Sequence, residues 1–337
     1  MKPSCATIRR LSAVLIPALA LAAVAPPTVA QDAAPPPKDP ASGQLLKPSQ
    51  NPPAKAAATR PTDLKFIDVH VHAHSCTPGG LDVVAEWMKR NGVDRCIVSP
   101  LDHKGSRDYT EDDRKLMLAN FARYKGSIDR MCVINAGEVK TVDEAVTILR
   151  REKADGAIAF GEHYGVGLPF DDPKNLLLYE ACERVGLPVM FHIDQNKNTV
   201  ERGMARVDEV LKRFPKCTLI AHAYWWRQLK DADRQLQQYP NLYADVSGTV
   251  VPDLLGRDPK YAREFVIRNQ DKLLFGTDEG WWSFKKDPSP YKHYTFFESL
   301  DLPAEVRYKV YRGNAEKLFG WKRGEAGDAR TPVERPG

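Results

Sequence analysis

The stretch Phe66-Ile67-Asp68-Val69-His70-Val71-His72 alternates apolar and polar residues along its whole length. Alternation of this kind marks a β-strand, in which successive side chains point to opposite faces. Asp68, His70 and His72 are therefore expected to project inward together, with Ile67, Val69 and Val71 projecting outward. Two imidazoles about 7 Å apart along a strand can grip one metal ion. Alone, His-x-His is a weak signal, because many strands carry two histidines by chance.

Three later segments strengthen it. Leu187-Pro188-Val189-Met190-Phe191-His192 is an apolar run that ends in histidine, and Thr218-Leu219-Ile220-Ala221-His222 is another. Leu273-Leu274-Phe275-Gly276-Thr277-Asp278 ends in a carboxylate. The chain has eight histidines, and these motifs place four of them near the C-terminal ends of predicted strands. In a barrel such ends converge on one mouth, where catalytic groups sit. Four imidazoles and an aspartate suit a borderline ion such as zinc.

Around these motifs, short β-branched runs alternate with longer amphipathic segments. Strands are expected at Phe66–His72, Arg95–Ser99, Arg130–Asn135, Gly156–Gly161, Pro188–Ile193, Thr218–His222, Leu242–Val246 and Leu273–Thr277. Helices are expected at Leu81–Arg90, Asp112–Tyr124, Val142–Arg151, Lys174–Val185, Arg206–Phe214, Tyr261–Asn269 and Ala304–Leu318. Strict alternation over residues 63–322, about 260 residues, predicts a single α/β domain, a (β/α)₈ TIM barrel. An open doubly wound sheet also alternates. No Gly-x-Gly-x-x-Gly follows the first strand, so a dinucleotide-binding fold loses support.

Outside the barrel the composition changes. Residues 1–30 read as a signal peptide: Arg9-Arg10 precede an apolar run from Leu11 to Ala25, and small residues lead up to Ala30. The run is shorter than the roughly 20 residues of a spanning helix, so no stable membrane insertion is expected after cleavage. The mature protein is expected in the periplasm or outside the cell. Residues 31–62 are rich in Pro and Ala and read as a flexible tether, and residues 323–337 as a disordered tail. The formal net charge of the 337-residue chain is +5, part of it in the signal segment. What remains is close to neutral and gives no reason to expect nucleic acid as a partner. Six cysteines occur without a Cys-x-x-Cys pair, which argues against a thiolate zinc site and leaves a disulfide undecided.

Taken together, His-x-His on strand one, histidines ending strands five and six, and Asp278 ending strand eight resemble the amidohydrolase superfamily. The local sequences are most similar to its amidohydrolase-related (amidohydrolase 2) branch, and Gly313-Asn314-Ala315-Glu316-Lys317-Leu318-Phe319-Gly320 resembles that branch's closing helix. The resemblance spans roughly residues 64–321. It implies that His70, His72 and Asp278 bind a first metal and that His192 is the strand-five ligand. His222 is implied as a ligand in two-metal members, or as a proton carrier or carbonyl polariser in one-metal members. Asp278 is implied as the proton acceptor from metal-bound water, whose pKa a divalent ion lowers toward ~7.

Glu162, at the end of strand four, resembles the bridging Glu of TatD-type deoxyribonucleases in the same superfamily. It could bridge two ions, orient an imidazole or contact substrate, so one or two divalent ions, zinc first, are expected per chain. Tyr224-Trp225-Trp226 and Trp281-Trp282 follow His222 and Asp278. These tryptophans either line the mouth against substrate or pack loops onto the barrel rim. Lys104 and Arg227 either hold a substrate carboxylate or are solvated charges. His74, His103 and His163 read as loop histidines. The leading expectation is a metal-dependent hydrolase that uses a metal-bound hydroxide on an amide, ester or lactone of a small molecule. Nonoxidative decarboxylation is the alternative within the same superfamily, and a noncatalytic binding barrel is the third reading. A homo-oligomer is left open.

Overall fold

A computed structural model describes residues 65–101, 109–193, 198–248, 250–280 and 292–322. The expected signal peptide, tether and tail lie outside the described residues, as do His103, Lys104, Trp281 and Trp282. Within them the chain runs β1 (Phe66–Ala73), α1 (Asp82–Asn91), β2 (Val93–Pro100), α2 (Glu111–Arg123), β3 (Ile128–Cys132), α3 (Val142–Ala154), β4 (Ala157–His163), α4 (Pro173–Val185) and β5 (Val189–Ile193). It continues through α5 (Val200–Arg213), β6 (Leu219–Ala223), α6 (Leu229–Gln238), β7 (Leu242–Asp245), α7 (Val250–Leu255), α8 (Pro259–Arg268), β8 (Leu273–Leu274) and β9 (Glu279–Gly280). α9 (Lys292–Ser299), α10 (Ala304–Tyr308) and α11 (Asn314–Phe319) complete it.

All strand pairs are parallel, and each of the first eight strands pairs with its sequence neighbour. β8 and β9 are two halves of the eighth strand. β8 pairs with β7 and β9 pairs with β1, which closes the (β/α)₈ barrel. The helices start where the sequence offers caps. Thr110 accepts from Asp113 N and donates its own backbone N–H to the Asp113 carboxylate, a capping box before α2. Asp172 and Asp258 cap α4 and α8, each with proline at the first helical position.

The barrel interior is filled by about one apolar residue per strand. Ile67, Val69, Ile97, Met131, Ala159, Met190, Ile220 and Leu274 form one cluster, and Ala315, Leu318, Phe319 and Trp321 pack against it from the C-terminal segment. The expected facing of β1 needs correction here. Ile67 and Val69 point into the barrel, whereas Asp68 turns aside to accept hydrogen bonds from Thr277. The register with β2 breaks between Asp68 and Val71, so side-chain parity switches inside the strand. Val71 then joins α1 outside the barrel, while His70 and His72 reach the mouth.

The C-terminal segment also departs from one continuous helix. Between α10 and α11, Lys309–Gly313 form a wider π-helical turn. The Val310 carbonyl accepts from Phe275 N at 2.9 Å, and Asn314 Nδ2 donates to the carbonyls of Gln270 and Leu273 at 2.7 and 2.8 Å. Docking on the eighth strand thus competes with the helix's own ladder.

Candidate metal centre

Each side chain of the candidate centre is delivered by the end of a strand. His70 and His72 come from β1, Glu162 from β4, His192 from β5 and His222 from β6. Asp245 ends β7, and Asp278 sits between the two halves of strand eight. His192 and His222 are register partners across β5 and β6. Glu162 depends on the residue before it: a Cβ at Gly161 would lie 2.7 Å from the Met190 carbonyl, and its φ is 148°. Glycine therefore lets β4 close on β5 at the step that turns Glu162 inward.

Asp278 adopts φ 60°, a left-handed conformation uncommon outside glycine but one that aspartate tolerates better than most residues, and its N–H donates to the His70 carbonyl at 2.8 Å. Asp68 clasps the same junction. Its buried carboxylate accepts from His70 N at 3.0 Å, Thr277 N at 3.2 Å and Thr277 Oγ1 at 2.7 Å. Burial outweighs these bonds and pushes its pKa up to about 7.

The functional atoms converge closely. His70 Nε2 and His72 Nε2 lie 3.1 Å apart. Glu162 Oε2 is 3.5 Å from each of them. Asp278 Oδ1 is 3.0 Å from His72 Nε2 and 3.8 Å from His70 Nε2. The other Glu162 oxygen, Oε1, contacts His192 Nδ1 and lies 3.5 Å from His222 Nε2. Asp278 Oδ2 is 3.8 Å from His222 Nε2. Glu162 therefore turns one oxygen to each histidine pair. His70, His72 and Glu162 form one group, and Glu162, His192 and His222 a second, with the ligand atoms of each within 4.8 Å of one another.

These residues fit a divalent cation. A neutral imidazole has one lone pair, and two Nε2 atoms facing each other at this distance need a cation or a proton between them. The set is nitrogen and oxygen without sulfur, which suits zinc or manganese. Electrostatics agree. Burial works against ionising Glu162, but His192, His222 and His70 hold its carboxyl well below the usual range. Burial opposes a charge on His70 too, yet Glu162, Asp245 and Asp278 raise its pKa well above normal. Such a cluster takes up protons when no metal is bound and releases them on binding.

Three partners were not foreseen from the sequence. The Asp245 carboxylate lies 3.0 Å from His70 Nδ1 and 3.0 Å from His222 Nδ1. Ser247 Oγ lies 2.7 Å from His222 Nδ1. Ser99 accepts from His72 Nδ1 at its carbonyl, 3.3 Å away, and from Glu162 N at its hydroxyl, 3.4 Å away. Asp245 ends an apolar strand just as His192 and His222 do, so a survey of every polar strand end would have found it.

Other expected site residues lie elsewhere. Trp225 and Trp226 are 0 % exposed, which corrects the expectation that they line the mouth. Trp225 Nε1 donates to Gln235 Oε1 at 2.8 Å, and Trp226 Nε1 donates to the Asp245 carbonyl at 3.0 Å. Both rings pack the turn after β6 into the core, the rim-packing arm of the earlier alternative. Arg227, in the same turn, is half-buried. His163 is not a loop residue. It ends β4 facing away from the centre, buried among Phe160, Phe170 and Tyr179. Among the described residues neither of its ring nitrogens has a hydrogen-bond partner, and burial pushes its pKa down to about 4. All five described cysteines are free thiols.

Comparison with known proteins places this geometry in context. The amidohydrolase family model matches residues 67–321. No curated protein matches the chain. A probable 2-pyrone-4,6-dicarboxylic acid hydrolase from Acinetobacter baumannii, solved with citric acid bound, is similar in fold. It shows a TM-score of 0.55, 14% identity and coverage of 76% of this chain and 100% of that one. Dihydroorotase from Campylobacter jejuni gives 0.56, 15%, 77% and 84% in the same order. A 5-carboxyvanillate decarboxylase from Novosphingobium aromaticivorans, complexed with manganese and a nitrobenzoic acid, gives 0.50, 13%, 72% and 80%.

Proposed function

The chain belongs to the amidohydrolase family, whose members include hydrolases and decarboxylases, and from that premise we propose that it is a divalent-metal-dependent hydrolase. Its substrate is a small molecule with an amide, ester or lactone bond. The observation that carries this reading is the Glu162 carboxylate turned toward both histidine pairs, with Asp278 beside them. His70, His72 and Asp278 would hold a first ion, and His192 and His222 a second, with Glu162 between them. Two dications at bridging distance repel unless an anion is shared, which is the role this carboxylate fits. Zinc is the ion proposed. The chemistry a divalent ion supplies in such a site is acidification of water and polarisation of a carbonyl oxygen.

The chain's own residues divide the remaining work. Asp278 is 33 % exposed at its side chain, whereas Glu162 is 3 % exposed. Asp278 can therefore exchange a proton with a substrate at the mouth, accepting it during attack and returning it to the leaving group. Glu162, sealed between the imidazoles, stays ionised and holds charge. Arg227 would contact a substrate carboxylate. Export to the periplasm or beyond is part of the proposal and rests on the sequence of residues 1–30.

The test is a panel of small lactones, esters, amides and aromatic carboxylates incubated with zinc-loaded chain. Acid release without carbon dioxide, abolished by chelation, supports hydrolysis. Carbon dioxide from a carboxylate, with every lactone, ester and amide left intact, overturns it in favour of decarboxylation.

A further inference from the structure

Asp245 meets both of its histidines at Nδ1, the ring edge opposite the Nε2 atoms that face Glu162 and Asp278. Oδ2 lies 3.0 Å from His70 Nδ1, and Oδ1 lies 3.0 Å from His222 Nδ1. The carboxylate is fully buried. His70 belongs to the group with His72 and Glu162 and His222 to the group with Glu162 and His192, while a third group joins both rings to Asp245.

We propose that Asp245 is a positioning residue that sets the tautomer of both His70 and His222, so that one carboxylate aims a lone pair at each of the two metal positions. An ionised carboxylate only accepts hydrogen bonds. Two Nδ1–H groups facing it leave Nε2 of each ring bare, and those are the atoms that face Glu162 and Asp278. Ser247 could undo the arrangement, because its hydroxyl can donate to His222 Nδ1 and leave the proton on Nε2. The acceptor-only carboxylate opposes that outcome. Its position between rings of two ligand groups also makes it shared, so its loss weakens both metal positions together. Loss of a single ligand would weaken one.

This inference rests on the metal-centre reading, and its test separates the two. Long-range proton–nitrogen correlation spectra of the metal-free full chain, at a pH alkaline enough to neutralise the rings, assign each tautomer. Zn²⁺ affinity is measured by competition with a chromophoric chelator. The expected wild-type spectrum shows Nδ1–H at both His70 and His222. Asp245→Asn replaces one of the two acceptor oxygens with an amide donor, as the Asp-to-Asn change in a catalytic triad does when it yields the wrong tautomer. The ring that faces the amide N–H should lose the Nδ1–H form, and Zn²⁺ should bind roughly 10–100-fold more weakly there. Asp245→Glu, which keeps the acceptor, should recover part of the affinity. An unchanged affinity in folded Asp245→Asn overturns the proposal, as does Nε2–H at either histidine of the wild type. That second criterion stands if the variant does not fold. If the wild type binds no Zn²⁺, the metal-centre reading fails, while the wild-type tautomers still decide the role of Asp245.

Discussion

At the end of the barrel where the strands begin, Arg130 and Glu152 are buried together and each donor meets an acceptor. At the mouth, His70, His72, Glu162 and Asp278 are crowded with acceptor atoms converging on one small volume. Arg130 donates from Nη1 to Glu152 Oε2 at 2.8 Å and from Nη2 to the Glu152 carbonyl at 3.1 Å, and Arg114 Nη1 donates to Glu152 Oε1 at 2.9 Å. Arg130 Nε reaches the Asp155 carbonyl at 3.3 Å. That cluster is complete within the chain and needs nothing from outside. The mouth is incomplete in the same terms, because its excess of acceptors calls for a cation. Buried charge alone therefore does not mark a functional site. The sign of the atoms that face each other does.

The largest expected effect falls on the closed end. Glu152→Gln leaves the Arg130 guanidinium buried without its counter-charge, a loss of about 3–5 kcal/mol. Urea unfolding reads it, and zinc content should stay unchanged. A loss under about 1 kcal/mol, the range of an exposed pair, would show that water reaches Arg130 and would blur the contrast.

At the mouth the loss is read first in catalysis. Asp278→Asn should lower kcat at least ~10²-fold on a verified substrate. Its thermal midpoint should fall as well: burial opposes ionising Asp278, but His72, His70 and His222 hold its carboxyl below the ordinary 3.8, so the charged form stabilises the fold at neutral pH. Full activity in this variant would remove Asp278 from proton transfer.

Acidification sharpens the comparison further. Burial works against the Glu152 carboxylate, but Arg130 and Arg114 hold its pKa below the ordinary 4.5. The unfolded chain therefore takes up a proton there before the folded one does. The stabilisation is fully present above pH 4.5 and is lost as pH falls through the lower folded value. Stability measured from pH 6 downward should decline more steeply in wild type than in Glu152→Gln. Parallel curves would contradict the ion-pair account.

Trp225→Phe is the smallest change. It removes the bond to Gln235 and should cost about 1 kcal/mol with KM unaltered. A raised KM at unchanged stability would return Trp225 to the substrate side.

Much of this was legible in the residues. Apolar runs ending in His192, His222 and Asp278 announced both the strands and the mouth, because a strand buried on both faces reads as a near-continuous apolar run, against which a polar residue at its end stands out. α6 was not foreseen although Leu229, Ala232 and Leu236 recur at helical spacing; polar residues fill most of Leu229–Gln238, and three apolar positions in ten residues drew no attention. The parity switch in β1 escaped for a different reason. A register break leaves no mark in an alternating sequence. Asp245 ended its strand in plain view, but its significance lies in two histidines far away in the chain. Whether Trp225 and Trp226 face water or the core depends on how the turn after β6 folds back, which composition does not specify.

The central claim is that Glu162 joins two ion positions, and metal stoichiometry tests it most directly. The chain is loaded with excess Zn²⁺, desalted and measured for zinc per polypeptide by elemental analysis, alongside Glu162→Gln. The account predicts about two ions per chain in the wild type and about one in the variant, as expected of a bridged pair that has lost its bridge. One ion in both proteins, or two in both, would contradict it.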